Sequence, residues 1–176
     1  MSTSSPRPAP AVRLREATPE DAEALTHLHL DVWDDAYTGL VEQHVLDERR
    51  ADVPARVERW RGILAGPREE PLWLAVEAGP GGGEELVGFA SAGPARDGDV
   101  DTATELWSLY VRARLWGTGV GYALLHAAIG DRAAYLWVLA GNDRAIGFYE
   151  RQGFRLDGTV DELDDGRHLR MLRAGT

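Results

Sequence analysis

The sequence predicts a single mixed α/β domain in which an antiparallel hairpin precedes β-α-β crossovers, and three observations predict it. The chain has 176 residues, about one domain's length and enough for a substantial core. Two apolar runs, Leu72 to Val76 and Leu86 to Ala92, bracket Gly79-Pro80-Gly81-Gly82-Gly83, which reads as two strands joined by a flexible turn. From residue 104 onward, strand-like runs alternate with helical periods: Thr104 to Val111, Thr118 to Gly130, Tyr135 to Leu139, then Asp143 to Gln152. That alternation is the pattern of crossover connections.

The individual elements follow from local chemistry. Met1 to Pro10 is rich in Ser and Pro with a single Arg, so residues 1–10 are expected to be a disordered lead and residues 11–176 the domain. Val12, Leu14 and Ala17 alternate as in a strand. Thr18 as N-cap, Pro19 in the first turn and the acids Glu20 and Asp21 then start a helix. Its apolar stripe is Ala22, Leu25, Leu28, His29, Val32 and Trp33, with a break expected from Asp34 to Gly39. Two further helices are expected over about Val41 to Arg49 and Pro54 to Leu64. Asn142 is a natural N-cap for the later helix and Gly153 its stop. Strands near Phe154 to Leu156 and Arg167 to Leu172 close the chain, with Asp161 to Gly166 as an acidic turn. No internal repeat is present.

Composition excludes several classes of function. The net charge is −10, which argues against nucleic acid, because phosphate binding needs a basic face. No apolar run approaches the roughly 18 residues of a membrane span, and the lead has no secretory apolar segment, so no membrane partner is expected and the expected location is cytoplasmic. With no cysteine there is no thiolate metal site and no Cys nucleophile. Asp97, Asp99 and Asp101 alternate like part of a calcium loop but lack its later bidentate Glu, so no metal is expected.

The chemistry concentrates after the strand Leu109-Tyr110-Val111. Trp116-Gly117-Thr118-Gly119-Val120-Gly121 puts glycines at alternate places between a strand and a helix, where backbone N–H groups can converge on an anion and the helix N-terminus adds partial positive charge. The dinucleotide fingerprint fails because Tyr122 holds its last glycine place, and the phosphate-loop lysine is missing. The spacing resembles the acyl-coenzyme A loop of the GNAT superfamily of N-acetyltransferases, Gln/Arg-x-x-Gly-x-Gly/Ala. Trp116 stands where that pattern has Gln or Arg, and a second register from Arg114 also fits formally. A second block, Asn142-Asp143-Arg144-Ala145-Ile146-Gly147-Phe148-Tyr149-Glu150-Arg151-Gln152-Gly153-Phe154, is similar to the family's Asn-x-x-Ala-x-x-Phe-Tyr-x-x-x-Gly-Phe segment at the expected distance.

The resemblance implies a mixed, mostly antiparallel central sheet of about six to seven strands, flanked by about four helices, with a V-shaped splay between the two central parallel strands. It implies acetyl-CoA as co-substrate: Leu109, Tyr110 and Val111 for the pantetheine, Trp116 to Gly121 for the pyrophosphate, and Asn142, Ala145 and Tyr149 on the far wall. Arg112, Arg114 and Arg144 are candidates for the nucleotide phosphates. It implies direct transfer of acetyl to a primary amine, with Tyr149 as acid to the leaving thiolate. Glu105 is the candidate base or ammonium-binding group. Trp33, Tyr37, Glu105 and Trp107 are the candidate acceptor wall, and the acidic charge favours a cationic small-molecule or peptide amine. His168 is a lesser candidate for the cleft. The alternative reading is a non-catalytic acyl-CoA sensor, and the oligomeric state is left open between monomer and homodimer.

Overall fold

The computed structural model describes residues 11–175, and the lead expected over residues 1–10 lies outside them. The elements run β1 (Arg13–Glu16), α1 (Ala22–Tyr37), α2 (Gln43–Arg50), α3 (Val53–Ala65), β2 (Trp73–Ala78), β3 (Glu84–Pro94), β4 (Thr104–Val111), α4 (Val120–Ile129), β5 (Ala134–Leu139), α5 (Asp143–Arg151), β6 (Arg155–Leu163) and β7 (Gly166–Arg173). The seven strands form one sheet in the order β1-β2-β3-β4-β5-β7-β6. Every neighbouring pair is antiparallel except β4 and β5. The fold class read from the sequence is therefore the observed one, with five α-helices rather than about four.

Each face of the sheet buries its own core. On one face α1 and α3 press Leu25, Leu28, Val32 and Leu64 onto Leu74, Val76 and Phe89. On the other, Leu124, Leu125 and Ile129 of α4 and Tyr149 of α5 meet Val87, Leu106, Leu136 and Met171. The one-in-two alternation of the strands supplies both faces at once, which is why β2, β3 and β5 read as nearly continuous apolar runs.

Two boundaries differ from expectation for electrostatic and edge reasons. Helix α1 continues through Asp34 to Tyr37, because Arg50 of α2 binds Asp31 and Asp34 at 2.9 and 2.6 Å and Asp35 accepts from the Ala113 amide at 3.0 Å. Gly39, at φ +85°, makes the break. The segment expected as an acidic turn is mostly strand: β6 extends to Leu163 and pairs with β7 from Val160↔Leu169 to Leu163↔Gly166. As an edge strand with most side chains exposed, it carries little hydrophobic period to read.

His29 gives the core a pH signature. Its ring sits edge-on to Trp60 and Phe89, with centroids 5.6 and 5.2 Å away. Burial, with Arg49, Arg56 and Arg59 adding to it, pushes its pKa down to about 3. The unfolded chain takes up a proton near pH 6.5 and the native state does not, so the unfolded state binds more protons between pH 6.5 and about 3. Stability is full above that window and falls as the pH drops through it. Between pH 6.5 and 4.5 this amounts to about 2 kcal/mol after allowance for screening. Urea unfolding at the two pH values should show the wild type losing about that much more than His29→Gln; equal losses would remove His29 from the account.

Candidate active site

The cleft originates in the way β4 leaves β5. The two strands share a single paired position, Glu105↔Tyr135, although β4 runs six residues further. Beyond that pair the strands diverge, and the gap opens into a cavity of about 310 Å³ lined by Leu106 to Val111 on one side and Leu136 to Val138 on the other. On its other edge β4 stays joined to β3, and the Arg112 amide donates to the Val87 carbonyl at 2.9 Å. Strand alternation then turns the backbone groups of Tyr110 toward β3 and those of Leu109 and Val111 into the gap. Of the three residues expected to offer backbone groups, Leu109 turns its N–H and carbonyl into the gap and Val111 its N–H, the Val111 carbonyl being taken by the Trp116 indole. Tyr110 offers its side chain instead, on the α1 face, with its hydroxyl 3.3 Å from that of Tyr37.

A β-bulge shapes the β3 side of the cleft. The β3–β4 register passes from Ser91↔Ser108 to Ala92↔Leu106, leaving Trp107 as the extra residue. Trp107 is 45% exposed and lines the cleft. A Cβ on Gly93 would fall 2.1 Å from its ring, so glycine there is what lets the indole lie flat against β3. Tyr37 also lines the cleft. Trp33 does not: it packs against Tyr37 with centroids 4.5 Å apart, under the guanidinium of Arg49.

The glycine loop forms the end wall. Gly119 is the N-cap of α4 at φ +93°, ψ −8°, with no side-chain cap, and the first intrahelical bond is donated by Ala123. The amides of Val120, Gly121 and Tyr122 therefore have no helical acceptor. Gly117 (φ +77°), Gly119 and Gly121 line the cavity, as does Trp116. These are the alternate places of the Trp116 register, which the structure supports over the Arg114 one. The Trp116 indole N–H donates to the Val111 carbonyl at 2.8 Å, tying the loop to the strand end. Thr118 and Val120 do not line the cavity: the Thr118 hydroxyl donates to Leu115 and the Val120 side chain is buried in the core. Their contribution is confined to backbone.

Helix α5 forms the far wall. Asn142 caps it, its Oδ1 accepting from the Ala145 amide at 3.2 Å, and Asn142, Ala145, Phe148 and Tyr149 all line the cavity. Tyr149 is 8% exposed; burial raises its pKa well above the ordinary phenol value, with Tyr110 adding to that and Arg144 opposing it. Of the three candidate phosphate arginines, Arg112 is held by Asp31 at 2.8 Å and Arg114 by Glu77 and Glu85. Arg144 has no carboxylate partner among the described residues and lies 3.6 Å over the Trp116 ring.

Glu105 is not in the cleft, and this corrects the expectation for it. It is 2% exposed, sits at the closed end of the splay, and is bound by Arg96 Nε at 2.8 Å and the Tyr135 hydroxyl at 2.8 Å. Arg96 and Tyr135 hold its pKa down against desolvation. The charge of this carboxylate is already matched by its protein partners. Next to it, Arg170 bridges Asp97, Asp99 and Asp157, so this end of the sheet is a structural ion network. His168 lies near Asp165 on the last hairpin and does not line the cavity. Tyr122 and Arg151, which do, carried no sequence signal of their own.

The cradle of free amides beside an opened strand edge suits an anionic ligand that carries an extended chain. Comparison with known proteins gives the family. A model of the acetyltransferase (GNAT) family matches residues 26–154. A probable N-acetyltransferase of Mycobacterium tuberculosis is 27% identical over 150 residues, covering 84% of this chain and 82% of that protein. An N-acetyltransferase of Streptomyces griseus is 32% identical over 120 residues, 63% of this chain and 62% of the relative. Among solved structures, the PaiA N-acetyltransferase of Thermoplasma acidophilum in complex with coenzyme A superposes with a TM-score of 0.61 at 17% identity, over 93% of this chain and 99% of that one. The chain belongs to the acetyltransferase (GNAT) family and is an acetyl-CoA-dependent N-acetyltransferase. Among the described residues no helix is long and apolar enough to cross a membrane.

Proposed function

We propose that the chain transfers acetyl from acetyl-CoA directly to a primary amine in a ternary complex, and that Tyr149 is its acid. The observation that carries this is the single paired position between β4 and β5, which opens a strand edge next to the uncapped start of α4. The Leu109 backbone groups bind the pantetheine as a strand would. The amides at the start of α4 take the pyrophosphate, and of Arg112, Arg114 and Arg144 it is Arg144, without a carboxylate partner among the described residues, that reaches a phosphate.

The amine nitrogen attacks the thioester carbon, and the Val111 N–H, facing the gap, stabilises the charge that develops on the carbonyl oxygen. As the C–S bond breaks, the Tyr149 hydroxyl donates to the departing sulfur. Burial keeps Tyr149 protonated at working pH, so the proton is present when the sulfur departs; the same burial penalises the tyrosinate left behind, and Arg144 opposes that penalty. The cationic amine first gives one proton to water, which frees the lone pair that attacks; after the C–N bond forms, the second proton lost by nitrogen returns through water to the Tyr149 oxygen, so the phenol is restored and the net reaction releases one proton. A chain of net charge −10 draws a cationic amine rather than an anionic acceptor.

Calorimetric titration with acetyl-CoA, with NAD and ATP as controls, followed by thiol release over a panel of primary amines, tests this reading. Binding of acetyl-CoA alone and amine-dependent thiol release are expected. Binding without release for any amine would leave the sensor reading in its place.

A further inference from the structure

A second cavity lies between α2 and the β6–β7 turn. It encloses about 460 Å³. Its walls carry four carboxylates, Glu48, Glu162, Asp164 and Asp165, and two basic groups, His44 and Arg49. Arg49 differs from its neighbours Arg50 and Arg112. Arg50 and Arg112 are each bound to Asp31, whereas Arg49 forms no ion pair among the described residues, although a carboxylate-rich turn faces it.

The position of Arg49 is fixed without using up its charge. The guanidinium lies 3.4 Å over the Trp33 ring, and Trp33 packs on Tyr37, which reaches the cleft. Its Nε is buried and has no hydrogen-bond partner. Desolvation is the largest influence on its pKa and lowers it, while Asp165 raises it from beyond ion-pair distance. Asp165 acts on Tyr37 and Tyr110 as well, so the turn carboxylate and the arginine both lie within electrostatic reach of the tyrosines of the cleft. A stacked, half-buried guanidinium with unused planar donors matches a carboxylate. The surrounding acidic residues match an ammonium.

We infer that the acceptor is an amino-carboxylate, its carboxylate held by Arg49 and its ammonium drawn in by the acidic β6–β7 turn around Asp165. This rests on the proposed acetyl transfer and names the substrate class of the same site. Arg49 is then a specificity residue rather than a catalytic one. It discriminates an acid from its neutral amide, because the amide cannot form the charge-assisted pair and leaves the buried donors unmatched.

The test is calorimetry on the full chain saturated with coenzyme A, titrated with α-, β- and γ-amino acids and with the same compounds as carboxamides. The best-bound acid should bind roughly ten- to a hundredfold more tightly than its carboxamide. Arg49→Met should abolish that difference while leaving carboxamide binding and coenzyme A affinity unchanged. Arg49→Lys, which keeps the charge without the planar fork, should retain part of it. Acids and carboxamides binding alike, no amino acid binding at all, or an equal loss for both series in Arg49→Met would each overturn the inference and leave acetyl transfer standing. Failure of coenzyme A itself to bind overturns the proposed function and this inference with it.

Discussion

Gly119→Glu should weaken coenzyme A and acetyl-CoA binding by at least about a hundredfold, the scale of losing several charge-assisted hydrogen bonds. Two effects act together. At φ +93° a side chain at Gly119 is strained, at a cost of roughly 1–2 kcal/mol. More damaging is where the carboxylate falls. An acidic side chain at an N-cap accepts from the amides of the first turn, here those of Val120, Gly121 and Tyr122, which are the donors the phosphates need. It also places a negative charge against the pyrophosphate. Gly119→Ala separates the two causes, since it carries the strain without the charge; nothing lies within 4 Å of its Cβ. Calorimetry should show Ala weakened only several-fold and Glu without measurable heat, with thermal unfolding reporting that both variants are folded. Glutamate binding the cofactor within threefold of wild type would remove the loop from the cofactor site.

What the sequence made legible is whatever local backbone chemistry writes into residue identity. Gly117, Gly119 and Gly121 had to be glycines or small residues for a loop to turn into a helix with free amides, and Asn142 had to be a capping residue for α5 to start where it does. Each leaves a mark at a fixed spacing, so the glycine loop and the start of α5 could be placed before any fold was known. The acceptor side could not be read in that way. Glu105 occupies a place on the central strand that suits a base, and nothing in the neighbouring letters shows that Arg96, in the preceding loop, and Tyr135, thirty residues later, neutralise it. The bulge at Trp107 depends on a register shift against β3. The freedom of Arg49 depends on which carboxylates its neighbours take first, since Arg50 claims Asp31 and Asp34. The extent of β6 was hidden because an edge strand held by pairing with β7 needs little apolar period. Pairing between elements, which local residue identity does not record, decides all four.

Tyr149→Phe should lower kcat by about a hundredfold or more, within the usual range for removing a positioned acid, with acetyl-CoA affinity changed less than about threefold. The ring is held independently of the hydroxyl: it packs edge-on to Phe148 and Phe154 with centroids 5.2 and 5.8 Å away, and phenylalanine keeps those contacts. No protein group hydrogen-bonds the Tyr149 hydroxyl among the described residues, so its removal strands no buried partner and stability should move little. A loss confined to kcat therefore isolates the proton. The leaving group sharpens the test: an acyl donor whose thiol has a lower pKa needs less protonation as it departs, so the variant should recover part of its rate on such a donor while the wild type gains less. A structural role for Tyr149 would depress both donors equally. If kcat with acetyl-CoA stays within threefold of wild type, Tyr149 serves only as a wall of the cleft, and protonation of the thiolate falls to water.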